Sequence, residues 1–494
     1  MDELTPISDA TLSKLPVGIK RPTYDRASLS PGIVHIGLGN FHRAHQSWYL
    51  HRLMEGGLAL DWAIIGAGVR PGDAVQRDRL AAQDWLTTLI ELDPDNVSAE
   101  IVGSMIGYVP VEEHNGALID QMADPAIRVV SLTVTEGGYF TDTASGRFDT
   151  GHPEIQHDIQ NPDTPRTAFG AIVAALARRR ATGAGPFTGL SCDNLQGNGA
   201  ILRQNVVELA RQTDADLAGW IDTTCSFPNS MVDCIVPATG PAEHALVRDF
   251  GLSDRAPVTH EGFRQWVIED DFCAGRPDWD KAGAVFSESV PAYEAMKLRI
   301  LNAGHQIIAN AGEVLAVPTI AECMADPEIS QLFSRVQQTE IVPHVQAVPD
   351  MTPDGYVTLI LQRFANARIV DTVRRVAFDG SSRHTGFLLP TIRDALSAGT
   401  PVAGLALVEA LWARMCEGTR EDGSAIEPND PYWSELQRAA IAARRRPAAW
   451  LEQSRFYGDL ADDGTFAPLF SAALAEIWDK GSRAAISTYL KQVE

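Results

Sequence analysis

Short apolar runs alternate with longer helical patterns over the first 290 residues of the chain. The apolar runs have the length and the bounding turn residues of buried strands, and they lie at 32–39, 62–69, 127–135, 186–194 and 224–237. Between them, segments such as TAFGAIVAALARRR and GAILRQNVVELARQT place apolar residues at helical spacing. Strands that alternate with helices predict a mostly parallel sheet covered by helices on both faces.

The hydrophobic pattern changes near residue 290. From there onward apolar residues recur at helical spacing, as in YEAMKLRILNAGHQIIANAG and GLALVEALWARM, and strand patterns nearly vanish. We therefore predict an α/β protein with a doubly wound domain over 1–290 and a mainly α-helical domain over 291–494. A chain of 494 residues is long enough for each domain to bury its own core.

The composition restricts the partners and the compartment. A formal net charge of −23 argues against nucleic acid and anionic membrane, because both require a basic surface. No run of 18 apolar residues suggests a membrane span, and the N-terminal residues lack the pattern of a secretory signal. The six cysteines form no C-x-x-C pair or zinc-finger spacing. We therefore expect a cytoplasmic protein with free thiols and no metal.

A glycine-rich turn follows the first predicted strand and opens a predicted helix. This is the context of the dinucleotide fingerprint, in which the first glycine allows a tight turn and the second admits a pyrophosphate. His42 stands where the fingerprint has Gly or Ala, so the match is partial and a plain turn is the alternative. We expect a Rossmann-like dinucleotide-binding domain. The candidate cofactor-binding residues are Gly37, Leu38, Gly39, Asn40, Phe41, His42 and Arg43.

The acid expected after the second strand is Asp73, which comes later than the usual interval. Its carboxylate could bind the ribose hydroxyls and repel a 2′-phosphate. Arg70, which lies beside it, could instead attract that phosphate. We expect NAD as the cofactor, and NADP stays possible.

The second candidate motif is MKLRILNAGH, a segment of helical character that contains Lys297, Asn302 and His305. At ~100° per residue these side chains fall within an arc of roughly 140°. A base, an amide donor and an imidazole that face one cavity can take a proton from an alcohol and stabilise the oxygen. The pattern is short, and chance spacing on a helix is the alternative.

The two motifs occur together with stretches that run through most of the chain. These stretches are GLGNFHRAHQ, SLTVTEGGY, SCDNLQGNG, SFPNSMVD, QWVIEDDF, GRPDWDKAGAVF, MKLRILNAGH and DGSSRHTGFLLPTI. The chain thereby resembles the polyol-specific long-chain dehydrogenases, the mannitol dehydrogenase family. The resemblance implies a dinucleotide-binding domain, a helical C-terminal domain, a substrate site in the cleft between them, and catalysis without metal.

The resemblance also implies roles for individual residues. Lys297 corresponds to the general base, and Asn194 and Asn302 correspond to the two amides that hold the substrate oxygen. His305 corresponds to a ligand of a substrate hydroxyl that also orients the site. Asn194 ends a predicted strand, where ligands meet an open parallel sheet, and a turn cap is its alternative interpretation.

Two arginines and one glutamate complete the candidate site. Arg375 and Arg383 match basic positions that bind substrate hydroxyls, although surface charge is their alternative interpretation. Burial and these two cations would lower the pKa of Lys297 toward neutrality. Glu294 shares the helix face of Lys297 and could relay the proton to solvent, or it could be a surface carboxylate.

The expected function is oxidation of a sugar alcohol, such as mannitol, to a ketose, such as fructose. Two alternatives stay open: a fructuronate reductase that interconverts D-mannonate and D-fructuronate, and a non-catalytic nucleotide-binding sensor. Departures from the family pattern, including Cys234 at an often basic position, leave the substrate undecided. We expect a monomer or a dimer.

Overall fold

The computed structural model describes residues 4–141 and 147–492. The chain forms two compact units that divide between Pro291 and Ala292. The strands β1–β13 are Thr5–Pro6, Pro31–Ile36, Ala63–Ala67, Thr87–Leu92, Val97–Val102, Met105–Tyr108, Val129–Leu132, Thr188–Ser191, Ser230–Asp233, Leu252–Ser253, Val258–His260, Gln265–Ile268 and Val285–Phe286.

The helices of the first unit cover both faces of its sheet. They are α1–α9, at Asn40–Ala44, Gln46–Glu55, Asp73–Ala81, Gly116–Ala123, Pro153–Gln160, Ala168–Thr182, Asn198–Thr213, Ala215–Thr224 and Pro241–Asp249. The next helix, α10, runs over the division between the units, at Val290–Met296.

The second unit is built of helices. They are α11–α21, at Ala303–Val314, Ile320–Ala325, Pro327–Val336, Pro353–Phe364, Val373–Val376, Gly380–Arg383, Leu389–Ala398, Ala403–Cys416, Trp433–Ala443, Phe466–Lys480 and Ser482–Lys491. Three π-helical segments interrupt them, at Lys297–Asn302, Gln337–Ile341 and His384–Leu388. The described residues from 292 on form no strand longer than an isolated bridge.

A five-stranded parallel sheet in the order β6-β3-β2-β7-β8 forms the centre of the first unit. Residues of β2 alternate between two cores, with Ile33 in the cluster on one face and Val34 and Ile36 in the cluster on the other. Burial on both faces explains the continuous apolar run of this strand. The predicted α/β fold class is confirmed.

Four of the five predicted strands are neighbours in this sheet, and the fifth has a different partner. β9 pairs antiparallel with β12, with Val232 opposite Trp266, in a separate three-stranded sheet. An apolar run reports that a strand is buried but not which strand it pairs with, so the sequence pattern could not separate β9 from the parallel set.

Two central helices organise the second unit. Every residue of α18 from Gly404 to Cys416 is buried, as is nearly all of α11. A helix that is apolar on all sides is one that neighbouring helices surround. In the residues that the structure describes, no helix has both the length and the apolar character needed to cross a bilayer.

Candidate active site

A cleft of about 1260 Å³ opens at the carboxyl ends of β2, β3 and β7. Its walls include the glycine turn after β2, the loop after β3 with Asp73, and the segment Thr133–Thr135 after β7. Ligands of open parallel sheets bind at this edge, where the loops diverge and leave a crevice. The cleft therefore lies where the sequence predicts a dinucleotide.

Each glycine of the turn has its own structural reason. Gly37 has φ of +94°, and a Cβ there would lie 2.1 Å from the carbonyl oxygen of Thr133. The turn therefore requires glycine for both its conformation and its close approach to the neighbouring strand. A Cβ at Gly39 would meet no atom within 4 Å, so this position faces open space in the cleft. That space leaves the backbone accessible to a pyrophosphate.

The next residues of the predicted cofactor loop differ in where they lie. Leu38 and Asn40 line the cleft, but Phe41, His42 and Arg43 do not. The His42 ring is buried and stacks on His35 at 3.4 Å between ring centroids, and burial holds its pKa well below the usual range. Arg43 donates to the Asn40 side chain at 2.7 Å. His42 and Arg43 thus support the loop from beneath.

Asp73, the first residue of α3, lies beside the end of β3 and faces the cleft with Arg70. Its Oδ2 accepts hydrogen bonds from the backbone N–H groups of Val69 and Arg70, each at 3.0 Å. A Cβ at Gly68 would lie 2.3 Å from the Asp73 Cβ, so only glycine leaves room for this fold-back. The folded loop explains why the acid comes late in the sequence yet lies beside the strand end.

Asn194 and a neighbour that the sequence analysis missed follow β8. Asn194 is exposed, whereas Asp193 is 7% exposed. The Asp193 carboxylate accepts from the backbone N–H groups of Val134 and Thr135 at 3.0 and 2.9 Å, and from the Tyr139 hydroxyl at 2.8 Å. It therefore fastens the loop after β7, a wall of the cleft, to the loop that contains Asn194.

Burial raises the pKa of Asp193 to about 6, although the three donors act in the opposite direction. The sequence feature that could have identified Asp193 was an acidic residue next to Asn194, just after a predicted strand of the parallel sheet. A carboxylate at that edge can satisfy backbone N–H groups of the next loop as well as bind ligands.

Lys297 and Asn302 lie at the two ends of a π-helical segment in the second unit. The Ala303 N–H donates to the carbonyl of Leu298, which is the five-residue spacing of a π-turn. The predicted arc of roughly 140° assumed α-helical geometry. The wider turn reduces the angle between residues five apart, so it brings Lys297 and Asn302 closer to one face than an α-helix would. Such segments are frequent at functional sites.

The polar groups of this region are enclosed. Lys297 and Glu294 are 7% and 5% exposed, so Glu294 is not the surface carboxylate that was its alternative interpretation. Within residues 4–141 and 147–492, the buried Oδ1 of Asn302 and Nε2 of His305 have no hydrogen-bond partner. Buried polar atoms are normally paired, so these two atoms have unused capacity that a ligand can satisfy.

His305 is held as a neutral imidazole. Its ring stacks on Phe364 at 4.2 Å between centroids, and burial lowers its pKa to about 3. The charges of Arg375 and Arg383 act in the same direction, and that of Asp371 opposes them. A neutral ring can accept or donate one hydrogen bond at Nε2 without adding charge.

Arg375 and Arg383 line an open pocket of about 450 Å³ in the second unit, together with the exposed Phe378. Arg375 forms a two-point ion pair with Asp371, at 2.7 Å from Nε and 2.5 Å from Nη2. Arg383 donates from Nη1 to the carbonyl of Val376 at 2.6 Å. Both cations are therefore fixed in direction by their own unit.

No group of three or more His, Cys, Asp or Glu side chains suited to a metal occurs in the described part of the chain. Family models for the mannitol dehydrogenase Rossmann domain and C-terminal domain match residues 31–281 and 289–478. The chain belongs to the mannitol dehydrogenase family. Membership confirms the expected resemblance and the expected enzyme class, a dehydrogenase.

Members of the mannitol dehydrogenase family match over nearly the whole chain. Mannitol 2-dehydrogenase of Cereibacter sphaeroides is 53% identical over 472 residues, which is 96% of this chain and 99% of that protein. The structure of Pseudomonas fluorescens mannitol 2-dehydrogenase in ternary complex with NAD and D-mannitol matches with a TM-score of 0.90 and 37% identity, over 99% of this chain and 100% of that one. A substrate-free D-sorbitol dehydrogenase matches with a TM-score of 0.89 and 34% identity, over 97% and 100%.

Proposed function

We propose that this chain is an NAD-dependent polyol dehydrogenase that oxidises D-mannitol, or a close relative of it, to the ketose. The observation that carries the proposal is the enclosed π-turn with Lys297 and Asn302, in a member of a family whose relatives are mannitol 2-dehydrogenases. A lysine amine and an amide on one face supply the base and the donor that oxidation of an alcohol needs.

The cofactor proposal rests on the first unit. Gly37 allows the turn, Gly39 leaves its backbone open to a pyrophosphate, and Asp73 presents a fixed carboxylate beside the end of β3. A carboxylate there accepts from ribose hydroxyls and repels a 2′-phosphate, which favours NAD over NADP. When bound, NAD supplies the acceptor for the hydride that leaves the substrate carbon.

The chain's own residues then accept the proton of the hydroxyl and stabilise its oxygen. Lys297, as a neutral amine, takes the hydroxyl proton while the carbonyl forms. The side-chain N–H groups of Asn302 donate to the oxygen as its negative charge grows, without competing for the proton. His305 binds a neighbouring hydroxyl through Nε2, and Glu294 passes the proton on toward solvent. Ketose reduction runs the same steps in reverse.

A neutral polyol fits the second unit better than a uronate does. The charge of Arg375 is already compensated by Asp371 in a two-point pair, so a substrate carboxylate would have to compete with a built-in one. Arg383, whose Nη1 donates to the Val376 carbonyl, lines the same pocket. Fructuronate reduction is the second candidate, because one arginine can still recognise a carboxylate.

The test follows NADH absorbance with a panel of D-mannitol, D-sorbitol, D-arabinitol and D-mannonate, each with NAD and with NADP. The proposal expects kcat/KM for D-mannitol to exceed that for D-mannonate by at least about a hundredfold. Preference for D-mannonate would establish the second candidate. Nucleotide binding without turnover of any substrate would establish a non-catalytic sensor.

A further inference from the structure

A buried amide side chain from a neighbouring segment binds the π-turn that contains Lys297 and Asn302. Gln337 is fully buried, and its Nε2 donates to the backbone carbonyl of Ile300 at 2.8 Å. Ile300 lies inside the turn, where its carbonyl also accepts from the Ala303 N–H. Segments with five-residue spacing depart from the regular helical ladder, so their buried carbonyls depend on additional donors.

Gly304 keeps the path of this side chain open. A Cβ at Gly304 would lie 2.9 Å from the Gln337 Nε2 and 2.7 Å from a ring carbon of Phe333. Phe333 in turn packs edge-on against Phe364, the residue that stacks on His305. The absence of a side chain at this position therefore lets α13 and the following π-segment approach the turn closely.

The support itself is anchored to the core of the second unit. Gln337 begins the π-segment Gln337–Ile341, and Glu340 of the same segment is buried. The Glu340 carboxylate accepts from the backbone N–H groups of Gly404 and Leu405 at 2.7 and 2.8 Å, at the start of α18. Because Glu340 binds the start of α18, the position of α18 also determines where the Gln337 amide meets the Ile300 carbonyl.

We propose that Gln337 is a positioning residue, which keeps the turn in the π form that places Lys297 and Asn302 on one face. The inference rests on the proposed roles of Lys297 and Asn302. In a regular α-helix residues five apart are offset by ~140°, so relaxation of the turn would separate the base from the amide donor. Errors of about 1 Å in such groups cost roughly a hundredfold in rate.

The experiment compares Gln337→Met with Gln437→Met in the full-length enzyme. Gln437 offers a matched control, because its Nε2 donates to the Glu417 carbonyl at 3.1 Å and lies 2.5 Å from where a Cβ of Gly418 would be. Both variants lose one amide donor to a backbone carbonyl of the second unit. We expect Gln337→Met to lower kcat at least about tenfold, with an unchanged KM for NAD.

Two further readouts separate positioning from a loss of stability. The acid limb of the pH profile of kcat/KM should move by about half a pH unit or more in Gln337→Met but not in Gln437→Met, because the surroundings of the base change. Gly304→Ala, which displaces the amide without removing it, should reproduce the fall in kcat. If Gln337→Met does not fold, the kcat of Gly304→Ala tests the positioning role in its place.

Lys297→Ala, measured in parallel, keeps the two hypotheses distinct. If Lys297→Ala is inactive while Gln337→Met and Gly304→Ala match the kcat and pH profile of Gln437→Met, the positioning role is overturned and the proposed function stands. If Lys297→Ala keeps its activity, the assignment of Lys297 as the base fails, and the positioning role fails with it.

Discussion

Lys297 lies in a six-residue turn whose last member, Asn302, keeps a buried carbonyl oxygen without a partner in the part of the chain that the structure describes. His305 has a ring nitrogen in the same condition. A folded protein rarely leaves such groups unpaired, since each costs about 1–3 kcal/mol. Their persistence on one short stretch is what a ligand-binding site requires.

Removal of the amine at Lys297 is the most direct test at this scale. Lys297→Ala should lower kcat by about a thousandfold, because general bases contribute roughly 10²–10⁴ to rate. NADH binding, followed by its fluorescence, should stay within about twofold of wild type, because the nucleotide cleft belongs to the first unit. A variant with a tenth of wild-type turnover would rule out the assigned base.

The second prediction at the scale of single residues concerns Asp73 and the choice between NAD and NADP. Asp73→Ala removes a charge that faces the cleft, so the ratio of kcat/KM with NADP to that with NAD should rise by about tenfold. The two backbone N–H groups of Val69 and Arg70 also lose their acceptor, which should further favour an anion.

Arg70→Ala is the matched control and should shift the cofactor ratio in the opposite direction. An unchanged ratio in Asp73→Ala would mean that another loop determines the choice between NAD and NADP.

At the scale of elements, the loop after β7 depends on a carboxylate from the loop after β8. The Asp193 carboxylate accepts hydrogen bonds from two backbone N–H groups and from one hydroxyl. An amide in its place offers one acceptor oxygen and turns its own N–H groups toward the remaining donors.

Asp193→Asn should therefore loosen this wall of the cleft and raise the KM for NAD by about tenfold, since hydrogen bonds to charged groups contribute about 1.5–3 kcal/mol. Steady-state kinetics with varied NAD check the prediction. Asp222→Asn, at an exposed acid of α8, is the control. Equal KM values in the two variants would contradict a role for Asp193 in the cleft wall.

At the scale of the whole molecule, buried histidines make the fold sensitive to acid. Burial lowers the pKa of His35, His260 and His305 to about 3, from the 6.5 of an exposed ring. Between these values the unfolded chain binds protons that the folded chain does not, so stability is complete above pH 6.5 and is lost as pH falls. Asp193 acts in the opposite direction below pH 6, because its raised pKa lets the folded state take a proton first.

At pH 5 each of these histidines should lower the free energy of unfolding by about 2 kcal/mol, and Asp193 should restore about 1 kcal/mol. Urea unfolding followed by tryptophan fluorescence at pH 7.5 and pH 5 measures the difference. His35→Gln should reduce the pH dependence of the first unit's transition. Equal midpoints for wild type at both pH values would contradict the prediction.

The sequence determined the features that repeat along the chain or that are short and local. Alternation of apolar runs and helical patterns predicted the α/β fold class, because burial on two faces of a parallel sheet leaves a direct record in hydrophobicity. The glycine turn was visible because only glycine allows the conformation of Gly37. The quoted motifs were sufficient to identify the family, and the comparisons confirmed it.

Only the tertiary structure decided how separate segments meet. The antiparallel pairing of β9 and the bond from Gln337 to Ile300 each join residues whose contact no local pattern records. The π-turn has the same origin, since its sequence fits an α-helix equally well and the wider form depends on packing from outside. Periodicity reports burial, whereas pairing and turn geometry depend on partners distant in sequence.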